Sequence, residues 1–256
     1  MNIAIVTGAS SGLGAEYVKQ LDAAGCYNEI WVIARRKERL TALQREVKTR
    51  LRPLAYDLTD SQSFSLLSAL LKKHRPNVQM LINGAGFGKI GSYRDISVDQ
   101  CCQMIDLNCK AAVALTQTVL PYMHRGSHIL EICSTASFQP FPYLNVYSAS
   151  KAFLYRYSLS LGRELAGTGI VVTAVCPYWI KDTEFIGTAR KTRDSHYINN
   201  FAFSTRKKDV VKRSLRANQK GLAVSTPGLA CTFHRFISKF IPYGVLMSLW
   251  DRFRKL

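Results

Sequence analysis

The sequence predicts a single α/β domain, built on a doubly wound parallel sheet and extended by helices at its C-terminus. Short, nearly continuous apolar runs alternate with helix-length segments, as expected of parallel strands that are covered on both faces. No Pro-, Gly- or Ser-rich linker, internal repeat or low-complexity stretch divides the 256 residues. We therefore take residues 1–256 as one domain, in which ligands bind at the carboxyl ends of the strands, where the strand order reverses.

The predicted elements follow one another in a regular order. Each apolar run is short enough for a strand, and each helical segment after it is long enough to cross over the sheet. We predict strands at residues 3–7, 29–34, 51–56, 78–82, 129–134 and 170–176, and a last one at 221–224. We predict helices at residues 14–24, 37–49, 61–73, 97–124 and 146–166, and a basic helix that begins at 206–208.

Composition and charge argue against a nucleic-acid-binding protein. Hydrophobic residues make up 47% and charged residues 20% of the chain, which is ordinary for a globular protein. The net charge of +18 lies mainly in residues 181–256, which carry sixteen Lys and Arg but five Asp and Glu. Because these basic residues do not interleave with aromatic residues on a recognisable module, we expect no specific binding of nucleic acid.

The cysteines and the first residues predict a cytoplasmic protein. Seven cysteines without a CxxC pair fit reduced thiols better than a disulfide framework, and we expect no metal site. An apolar strand begins almost at once, so no signal peptide is evident, and no run of about 18 apolar residues indicates a spanning helix.

A glycine-rich turn between the first strand and the first helix predicts a dinucleotide site. Gly8 permits a tight turn, Gly12 lets the backbone approach a pyrophosphate, and Gly14 permits close packing of helix and strand. The helix N-terminus then offers free N–H groups to the diphosphate. Such a sequence alone is often a plain turn, but its place between strand and helix favours a Rossmann-like site. The turn also contains Ser10, Ser11 and Leu13.

The end of the second strand indicates NADP(H) as the cofactor. A protein that binds NAD places an acidic side chain there to hold the ribose 2′-hydroxyl, whereas this chain has Ala34, Arg35 and Arg36. Each guanidinium offers a planar fork of donors to a 2′-phosphate. The alternative is that the two arginines begin a solvated helix, but Ala34 would still leave NAD without its usual partner.

Three side chains near the fifth strand form a candidate catalytic group. Tyr147 and Lys151 lie at i and i+4 on one helix face, and an ammonium beside a tyrosine favours its phenolate, which lowers its pKa. Ser134 ends the fifth strand, where its hydroxyl can bond a substrate oxygen as negative charge develops. A lone Tyr-x-x-x-Lys is usually a packed ring beside a solvated lysine. Thr135 and Ser137 also carry hydroxyls nearby, and spacing favours Ser134.

Together these motifs resemble the short-chain dehydrogenase/reductase family. The resemblance covers about residues 1–185 and rests on four motifs in the right order. These are the Gly-x-x-x-Gly-x-Gly spacing of the turn, Asn83-Gly84-Ala85-Gly86 after the fourth strand, Asn108 in a long helix, and Ser134 followed by Tyr147-x-x-x-Lys151.

The resemblance implies an NADP(H)-dependent oxidoreductase that interconverts a carbonyl and an alcohol. It implies that Tyr147 passes the proton, Lys151 also holds the nicotinamide ribose, and Asn108 orders a water in the proton path. It places Asp57 against the adenine ring, although Asp57 could instead cap the next helix. The cofactor site implied is Gly8, Ser10, Ser11, Gly12, Leu13, Gly14, Arg35, Arg36, Asp57, Leu58, Asn83, Ala85, Gly86, Tyr147, Lys151, Pro177, Ile180 and Thr183.

The chain departs from the family after the sixth strand. Tyr178 stands where a glycine is usual, and Thr183 falls one residue late for its contact with the carboxamide, so Ile180 is a second candidate through its backbone. Residues 185–205 match the family's substrate lid, which Phe185, Ile186, Tyr197, Phe201 and Phe203 would line or else pack on the core.

Residues 227–256, here called the tail, read as a basic amphipathic extension. Two apolar stripes with helical spacing are divided by residues 242–244. The tail can cover the substrate cleft, join a subunit contact or lie on an anionic membrane, and we favour the first two. The apolar positions are Phe233, Phe236, Ile237, Phe240, Ile241, Val245, Leu246, Leu249, Trp250 and Phe253, and the basic ones are His234, Arg235, Lys239, Arg252, Arg254 and Lys255.

These features predict a small-molecule carbonyl or alcohol as the substrate and a homodimer or homotetramer as the assembly. The hydrophobic lid and tail favour a bulky apolar compound, such as a steroid, a bile acid or a long-chain compound. The alternative is a regulatory protein that binds the cofactor on the same fold without catalysis, and Asn108, Ser134, Tyr147 and Lys151 argue against it.

Overall fold

A computed structural model of the protein describes residues 1–254. Lys255, counted above among the basic residues of the tail, and Leu256 lie outside the described residues. The strands are β1 (Asn2–Thr7), β2 (Glu29–Ile33), β3 (Arg50–Leu54), β4 (Asn77–Asn83), β5 (His128–Ile132), β6 (Val171–Val175) and β7 (Val224–Ser225).

The strands form one parallel sheet in the order β3-β2-β1-β4-β5-β6-β7. The doubly wound sheet is therefore confirmed. The strand order reverses between β1 and β4, so a crevice opens beyond the carboxyl ends of these two strands. Their last residues, Thr7 and Asn83, mark the position where the site was expected.

Helices cover both faces of the sheet. They are α1 (Gly12–Ala24), α2 (Lys37–Leu43), α3 (Ser61–His74), α4 (Val98–Ile105), α5 (Ala111–Val119), α6 (Asn145–Glu164), α7 (Phe185–Ala189), α8 (Lys207–Gln219), α9 (Leu229–Ile237) and α10 (Tyr243–Phe253).

Two apolar layers hold the helices against the sheet. On one face Leu67 of α3 and Leu115 of α5 pack against Ile5 and Trp31 of the strands. On the other face Tyr17 and Leu21 of α1 pack against alternate residues of the same strands. The Tyr17 hydroxyl lies 2.6 Å from the hydroxyl of Ser214, which fixes α1 against α8. The sheet is thus buried on both sides, and this explains why its inner strands are mainly apolar.

Two predicted helices were drawn too long. The helix predicted at 97–124 is α4 and α5, joined by a π-helical segment (Asp106–Lys110) and ending at Val119. The helix predicted at 37–49 ends at Leu43, because the Gln44 side chain bonds the backbone of Thr49 and Leu51 and turns the chain into β3.

The tail folds into two helices whose bounds differ from the prediction. α9 ends at Ile237 and not at Ile241, and Tyr243 and Gly244, predicted to break the helix, begin α10. Pro242 precedes the first turn of α10, where its missing N–H costs nothing. Among the helices described, none is both long and apolar enough to span a bilayer.

Candidate active site

A cleft of about 630 Å³ opens beyond the carboxyl ends of β1, β2, β4 and β5. It brings together almost all of the residues that the sequence predicted for the site. The predicted residues that line it are Gly8, Ser10, Ser11, Gly12, Leu13, Gly14, Arg35, Arg36, Asp57, Leu58, Ala85, Gly86, Ser134, Tyr147, Lys151, Pro177, Ile180 and Thr183. Asn83 and Asn108 lie behind its wall.

The glycine turn is open toward the cleft. Gly8 and Gly12 have positive φ values of 68° and 55°, which glycine adopts without strain. A side chain at Gly8 would also lie 2.8 Å from the carbonyl oxygen of Gly84. The Ser11 side chain makes no capping bond to the N-terminus of α1, and the first turn of α1 carries no acidic residue. The first N–H groups of α1 and its dipole therefore favour an anion in the cleft.

Arg36 organises the end of the cleft that lies beside β2. Its guanidinium donates to the Ser10 hydroxyl at 3.1 Å and to the Ser11 hydroxyl at 2.8 Å. It also forms an ion pair with Glu184 at 3.0 Å, and Arg39 binds the same carboxylate at 2.5 Å. Two guanidinium groups thus stand at one edge of the cleft and hold a carboxylate between them.

Arg35 and Asp57 lie at the same end of the cleft. The Asp57 carboxylate accepts bonds from the backbone and hydroxyl of Thr59 at 3.0 and 2.8 Å. Burial raises the pKa of Asp57, but the bonds from Thr59 and the nearby Arg35 outweigh it, so the pKa lies below its ordinary value. The cap of α3 is Asp60, whose side chain accepts from Gln62, so the capping alternative for Asp57 is wrong.

Tyr147 and Lys151 point from α6 into the centre of the cleft. Both side chains are buried, and the Lys151 ammonium lies 6.0 Å from the centre of the Tyr147 ring. Lys151 donates to the carbonyl oxygen of Ile132 at 2.7 Å, which ties α6 to the end of β5. Ser134 follows that strand, and its hydroxyl accepts from the backbone of Ala136. Ser134, Tyr147 and Lys151 therefore line the same part of the cleft, beside the end of β5.

The pKa of Tyr147 differs from the expectation. Burial raises it to about 12, and the bond with Ser134 offsets only part of this effect. Burial also lowers the pKa of Lys151, since desolvation penalises the ammonium. The expected lowering by Lys151 is therefore wrong for the structure described here, and Tyr147 holds its proton at neutral pH.

Asn108 lies behind Gly86, in the π-helical segment between α4 and α5. Its side chain donates to the Phe87 carbonyl at 2.9 Å and to the Ser150 hydroxyl at 3.0 Å. A π-helical turn inside an α-helix is often found at functional sites, because it redirects side chains. The turn here points Asn108 toward the chain after β4, and a side chain at Gly86 would lie 2.8 Å from the Asn108 Oδ1 and 3.3 Å from the Lys151 Nζ.

Asn83 belongs to a buried polar network and not to the wall of the cleft. Its amide donates to the Thr116 hydroxyl at 2.8 Å and to the Glu131 carboxyl at 2.7 Å. Burial raises the pKa of Glu131 to about 7, although bonds from Asn83 and Thr116 and the charge of Lys151 act against it. The predicted role of Asn83 in binding the cofactor stays a prediction.

Thr183 and Ile180 line the cleft in the loop after β6. The Thr183 hydroxyl donates to the Ile180 carbonyl at 3.2 Å and accepts from the backbone of Phe185 at 3.4 Å. The Thr183 side chain also lies opposite Gly12, 3.6 Å from the position of a side chain there. The loop therefore faces the glycine turn across the cleft.

Aromatic side chains enclose the end of the cleft beyond Tyr147. Of the five predicted lid residues, Phe185 lines the cleft, and its ring lies 5.4 Å from that of Tyr147. Tyr197 stacks on Tyr143, Phe201 packs edge to face against Trp179, and Phe203 is exposed, so these three residues do not line the cleft themselves. The other apolar residues that line this end are Phe87, Leu107, Phe141, Leu144, Tyr178, Trp179 and Trp250.

Sequence reasoning missed four charged residues in or around the site. Lys89, Arg39, Glu184 and Glu131 are single charged residues without a motif, and their neighbours in space lie far away in the sequence. Lys89 lines the cleft, yet its ammonium is held by the carbonyls of α7 and the turn after it. The only available signal for any of the four was the presence of an acidic residue, Glu131, among the apolar residues of β5.

Comparison with known sequences finds one family model and many relatives. The model that describes short chain dehydrogenases matches residues 2–194. A relative from Escherichia coli K12, named as an NADP-dependent 3-hydroxy acid dehydrogenase, is 33% identical over 195 residues, which are 75% of this chain and 78% of that protein.

Solved structures share the fold over nearly the whole chain. A short-chain dehydrogenase from Sphingobium yanoikuyae in complex with NADPH has a TM-score of 0.79 and 27% identity, with 97% of this chain and 96% of that chain covered. A bulky-bulky ketone specific alcohol dehydrogenase from Comamonas testosteroni has a TM-score of 0.75 and 25% identity, with 97% and 94% covered.

Proposed function

This chain belongs to the short-chain dehydrogenase/reductase family, and from that premise we propose that it reduces a bulky apolar ketone or aldehyde to an alcohol with NADPH. It is an oxidoreductase that acts on CH–OH and C=O groups, and its cofactor is NADP(H). The intact group of Ser134, Tyr147 and Lys151 supports catalysis over the regulatory alternative.

The cleft fits this cofactor. The N-terminus of α1, left open by Ser11, suits a diphosphate, and the cavity volume of about 630 Å³ lies within the range of ligand sites. Arg36, and Arg35 beside it, would hold the 2′-phosphate, and Asp57 would meet the adenine. When bound, the nicotinamide supplies the hydride that reaches the carbonyl carbon. Lys151 would hold the nicotinamide ribose.

Tyr147 and Ser134 would act on the carbonyl oxygen. The Ser134 hydroxyl donates to this oxygen and stabilises the negative charge that grows on it as the carbon accepts the hydride. The Tyr147 hydroxyl gives the oxygen its proton, and the O–H bond of the alcohol forms as that of the tyrosine breaks. Lys151 and Asn108 would return a proton to Tyr147 through a water.

The substrate class rests on the aromatic end of the cleft. Phe141 and Trp250 pack edge to face at 4.8 Å, and the Trp250 indole donates to the Pro142 carbonyl at 3.3 Å. α10 of the tail therefore contributes a wall to the substrate end. An apolar wall built on two separate elements favours a bulky apolar group over a small polar one.

A panel of ketones tests the proposal. We expect kcat/KM with NADPH to be at least about 100-fold higher for bulky apolar ketones than for acetone, since each buried methylene adds about 0.8 kcal/mol. Trp250→Ala should raise KM for the bulky ketone and leave kcat nearly unchanged. Ser248→Ala, on the exposed side of the same helix, is the control. A preference for small polar carbonyls would contradict the substrate class.

Lys89 favours a second candidate, a hydroxy acid or an oxo acid. Lys89 is 8% exposed, lines the substrate end, and forms no ion pair within residues 1–254. A substrate carboxylate would give this ammonium a charged partner beside the two carbonyl oxygens that it already binds, and the relative from Escherichia coli is named for hydroxy acids. Under this candidate, Lys89→Met should raise KM for an acid and not for its methyl ester.

Assembly and location complete the proposal. We propose a homodimer or homotetramer in the cytoplasm. Val98 and Ile105 on α4 and Phe153 on α6 are large apolar side chains of which about half or more is exposed. A subunit contact would cover them. All seven cysteines are free thiols, as a reducing compartment would keep them. Residues 185–205 would close over the substrate, and residues 227–256 would complete its pocket.

A further inference from the structure

The tail presents an apolar face that no part of the described chain covers. The side chains of Leu229, Phe233, Phe236 and Phe240 recur with helical spacing along α9 and the turn after it, so they lie along one side. Their exposed fractions are 91%, 66%, 61% and 70%. Val245 and Leu249 of the next helix, α10, are each half exposed, and we call these six apolar side chains the outer face of the tail. Isolated exposed apolar residues are common, but six within about two helices are not.

The opposite side of the same helices is anchored to the domain. In α9, Cys231 is buried, and His234 bonds the Gln139 side chain at 2.8 Å and packs against Phe138. In α10, Leu246 is buried, and Trp250 lines the substrate end of the cleft. The tail is therefore a folded part of the domain with its apolar outer face directed away from it.

The charges around the outer face are positive. Lys239 and Arg252 are exposed and Arg235 is partly exposed, and none of the three has an ion pair among residues 1–254. The tail contains one acidic residue, Asp251, and its carboxylate already pairs with Arg254 at 2.7 Å. An occupant of this face must therefore accept both apolar side chains and positive charge.

A second copy of this chain fits that requirement poorly. In a two-fold dimer the same patch meets itself, so Lys239 and Arg252 of one copy would approach those of the other without an acidic partner. The surface of a bilayer that contains anionic lipids offers what a second copy lacks. Its acyl region accepts phenylalanine and leucine side chains, and its headgroups attract lysine and arginine.

We propose that the outer face of α9 and α10 docks on the surface of a membrane rich in anionic lipids. Phe233, Phe236 and Phe240 would enter the boundary between headgroups and acyl chains, and Lys239 and Arg252 would meet the lipid phosphates. Because Trp250 lies on the inner side of α10, docking would bring the substrate end of the cleft close to the bilayer. This last inference rests on the proposed function, because a cleft close to the bilayer would serve a substrate that dissolves in lipid.

Vesicle flotation of the full chain without substrate tests the docking, and its outcome is independent of any catalytic activity. We expect the protein to float with phosphatidylcholine vesicles that contain about 30% phosphatidylglycerol and to stay unbound with phosphatidylcholine alone. Binding should weaken at high salt because the electrostatic part is screened. The protein staying unbound with both kinds of vesicle would overturn the proposal.

Two variants with matched controls identify the surface. Phe233→Ser, Phe236→Ser and Phe240→Ser together should lower vesicle binding at least about tenfold, whereas Leu66→Ser with Leu222→Ser, at exposed positions outside the tail, should not. Lys239→Glu with Arg252→Glu should also lower vesicle binding. Lys72→Glu with Lys73→Glu, which changes the net charge equally on α3, should leave it unchanged. Circular dichroism checks that each variant folds.

Light scattering separates the membrane from a subunit contact. The mass of the oligomer in solution should be the same for the wild type and the triple phenylalanine variant. A mass that falls in this variant would show the outer face to be a subunit contact and would overturn the proposal. A control charge variant that loses as much vesicle binding as Lys239→Glu with Arg252→Glu would also overturn it, because binding would then follow net charge alone.

Discussion

The Arg36 guanidinium and the Glu184 carboxylate form an ion pair at 3.0 Å across the edge of the cofactor cleft. Arg36 follows β2, whereas Glu184 directly precedes α7, where the predicted lid begins. Arg39 binds the same carboxylate, and the hydrogen bonds from Arg39 and Arg36 lower the pKa of Glu184 to about 2. A charged carboxylate therefore occupies the guanidinium of Arg36, one of the two arginines that we assign to the 2′-phosphate.

Glu184→Gln should strengthen the binding of NADPH. The substitution removes a negative charge that competes with the 2′-phosphate for Arg36, and exposed ion pairs of this kind are worth about 0.2–1 kcal/mol each. We expect the Kd for NADPH to fall about two- to fivefold, with no change for NADH. Fluorescence titration of both cofactors measures this. Asp182→Asn, two residues earlier in the same loop, is the control, and weaker binding of NADPH by Glu184→Gln would contradict the competition.

Selectivity for NADPH should depend on the two arginines after β2. Arg36→Ala removes the donors that also bind Ser10 and Ser11, and Arg35→Ala removes the charge beside Asp57. Each should weaken NADPH binding by about 1.5–3 kcal/mol and leave NADH binding nearly unchanged, as for a lost charged hydrogen-bonding partner. Equal catalytic efficiency of the wild type with NADPH and NADH would refute the assignment.

The fold and the centre of the site were predictable because their signals are local. A glycine turn after a strand and a Tyr-x-x-x-Lys on a helix each fix a geometry within a few residues, and the parallel sheet then brings the strand ends together. The Glu184–Arg36 pair and the position of Trp250 depend on where loops cross the cleft. No periodicity encodes that placement, so it required the structure.

The pKa of Tyr147 shows a second limit of sequence reasoning. The sequence places an ammonium four residues away and predicts a lowered pKa, but burial of the phenol raises the pKa, and the bond with Ser134 offsets only part of this effect. Desolvation depends on every atom packed around the hydroxyl, and a sequence motif does not contain it.

The rates of the two reaction directions should respond differently to pH. Tyr147, with a pKa of about 12, is protonated from pH 6 to pH 9 and can act as the acid in reduction, so kcat for reduction should be flat there. Oxidation of the alcohol needs the phenolate, so its kcat should rise about tenfold for each pH step of one. Initial rates in both directions measure this, and reduction that falls steeply between pH 7 and pH 9 would contradict it.

Tyr147→Phe tests the acid directly. The variant keeps the ring but loses the transferable proton, so turnover should fall at least about 100-fold while NADPH binding survives. Lys151→Ala should lower turnover and also weaken NADPH binding, because the ammonium also holds the end of β5 through Ile132. Tyr155→Phe, on the same helix and outside the cleft, is the matched control. A normal rate for Tyr147→Phe would mean that another group is the acid.

The buried carboxyl of Glu131 should make the stability of the fold depend on pH. Glu131 lies in β5, behind Lys151 of α6. One of its carboxyl oxygens accepts hydrogen bonds from Asn83 and Thr116, and the other has no described partner. The side-chain amide oxygen of Asn83 likewise lacks a partner within residues 1–254. A carboxyl group that keeps its proton suits this site better than a carboxylate, because the ionised form would be buried with one oxygen unsolvated.

Glu131→Gln should therefore remove a loss of stability that the wild type shows as pH rises. Burial raises the pKa of Glu131 from 4.5 to about 7, so the folded protein holds this proton more tightly than the unfolded chain. Its contribution is complete below about pH 4.5 and is lost as pH rises through 7. Between pH 5 and pH 8 the free energy of unfolding should fall by up to about 3 kcal/mol more in the wild type than in Glu131→Gln, since a tenfold change in proton affinity is worth about 1.4 kcal/mol. Urea unfolding at a series of pH values measures the difference, with Glu38→Gln on the exposed side of α2 as the control. Parallel curves for the wild type and Glu131→Gln would show that Glu131 ionises in the folded protein as readily as in the unfolded chain.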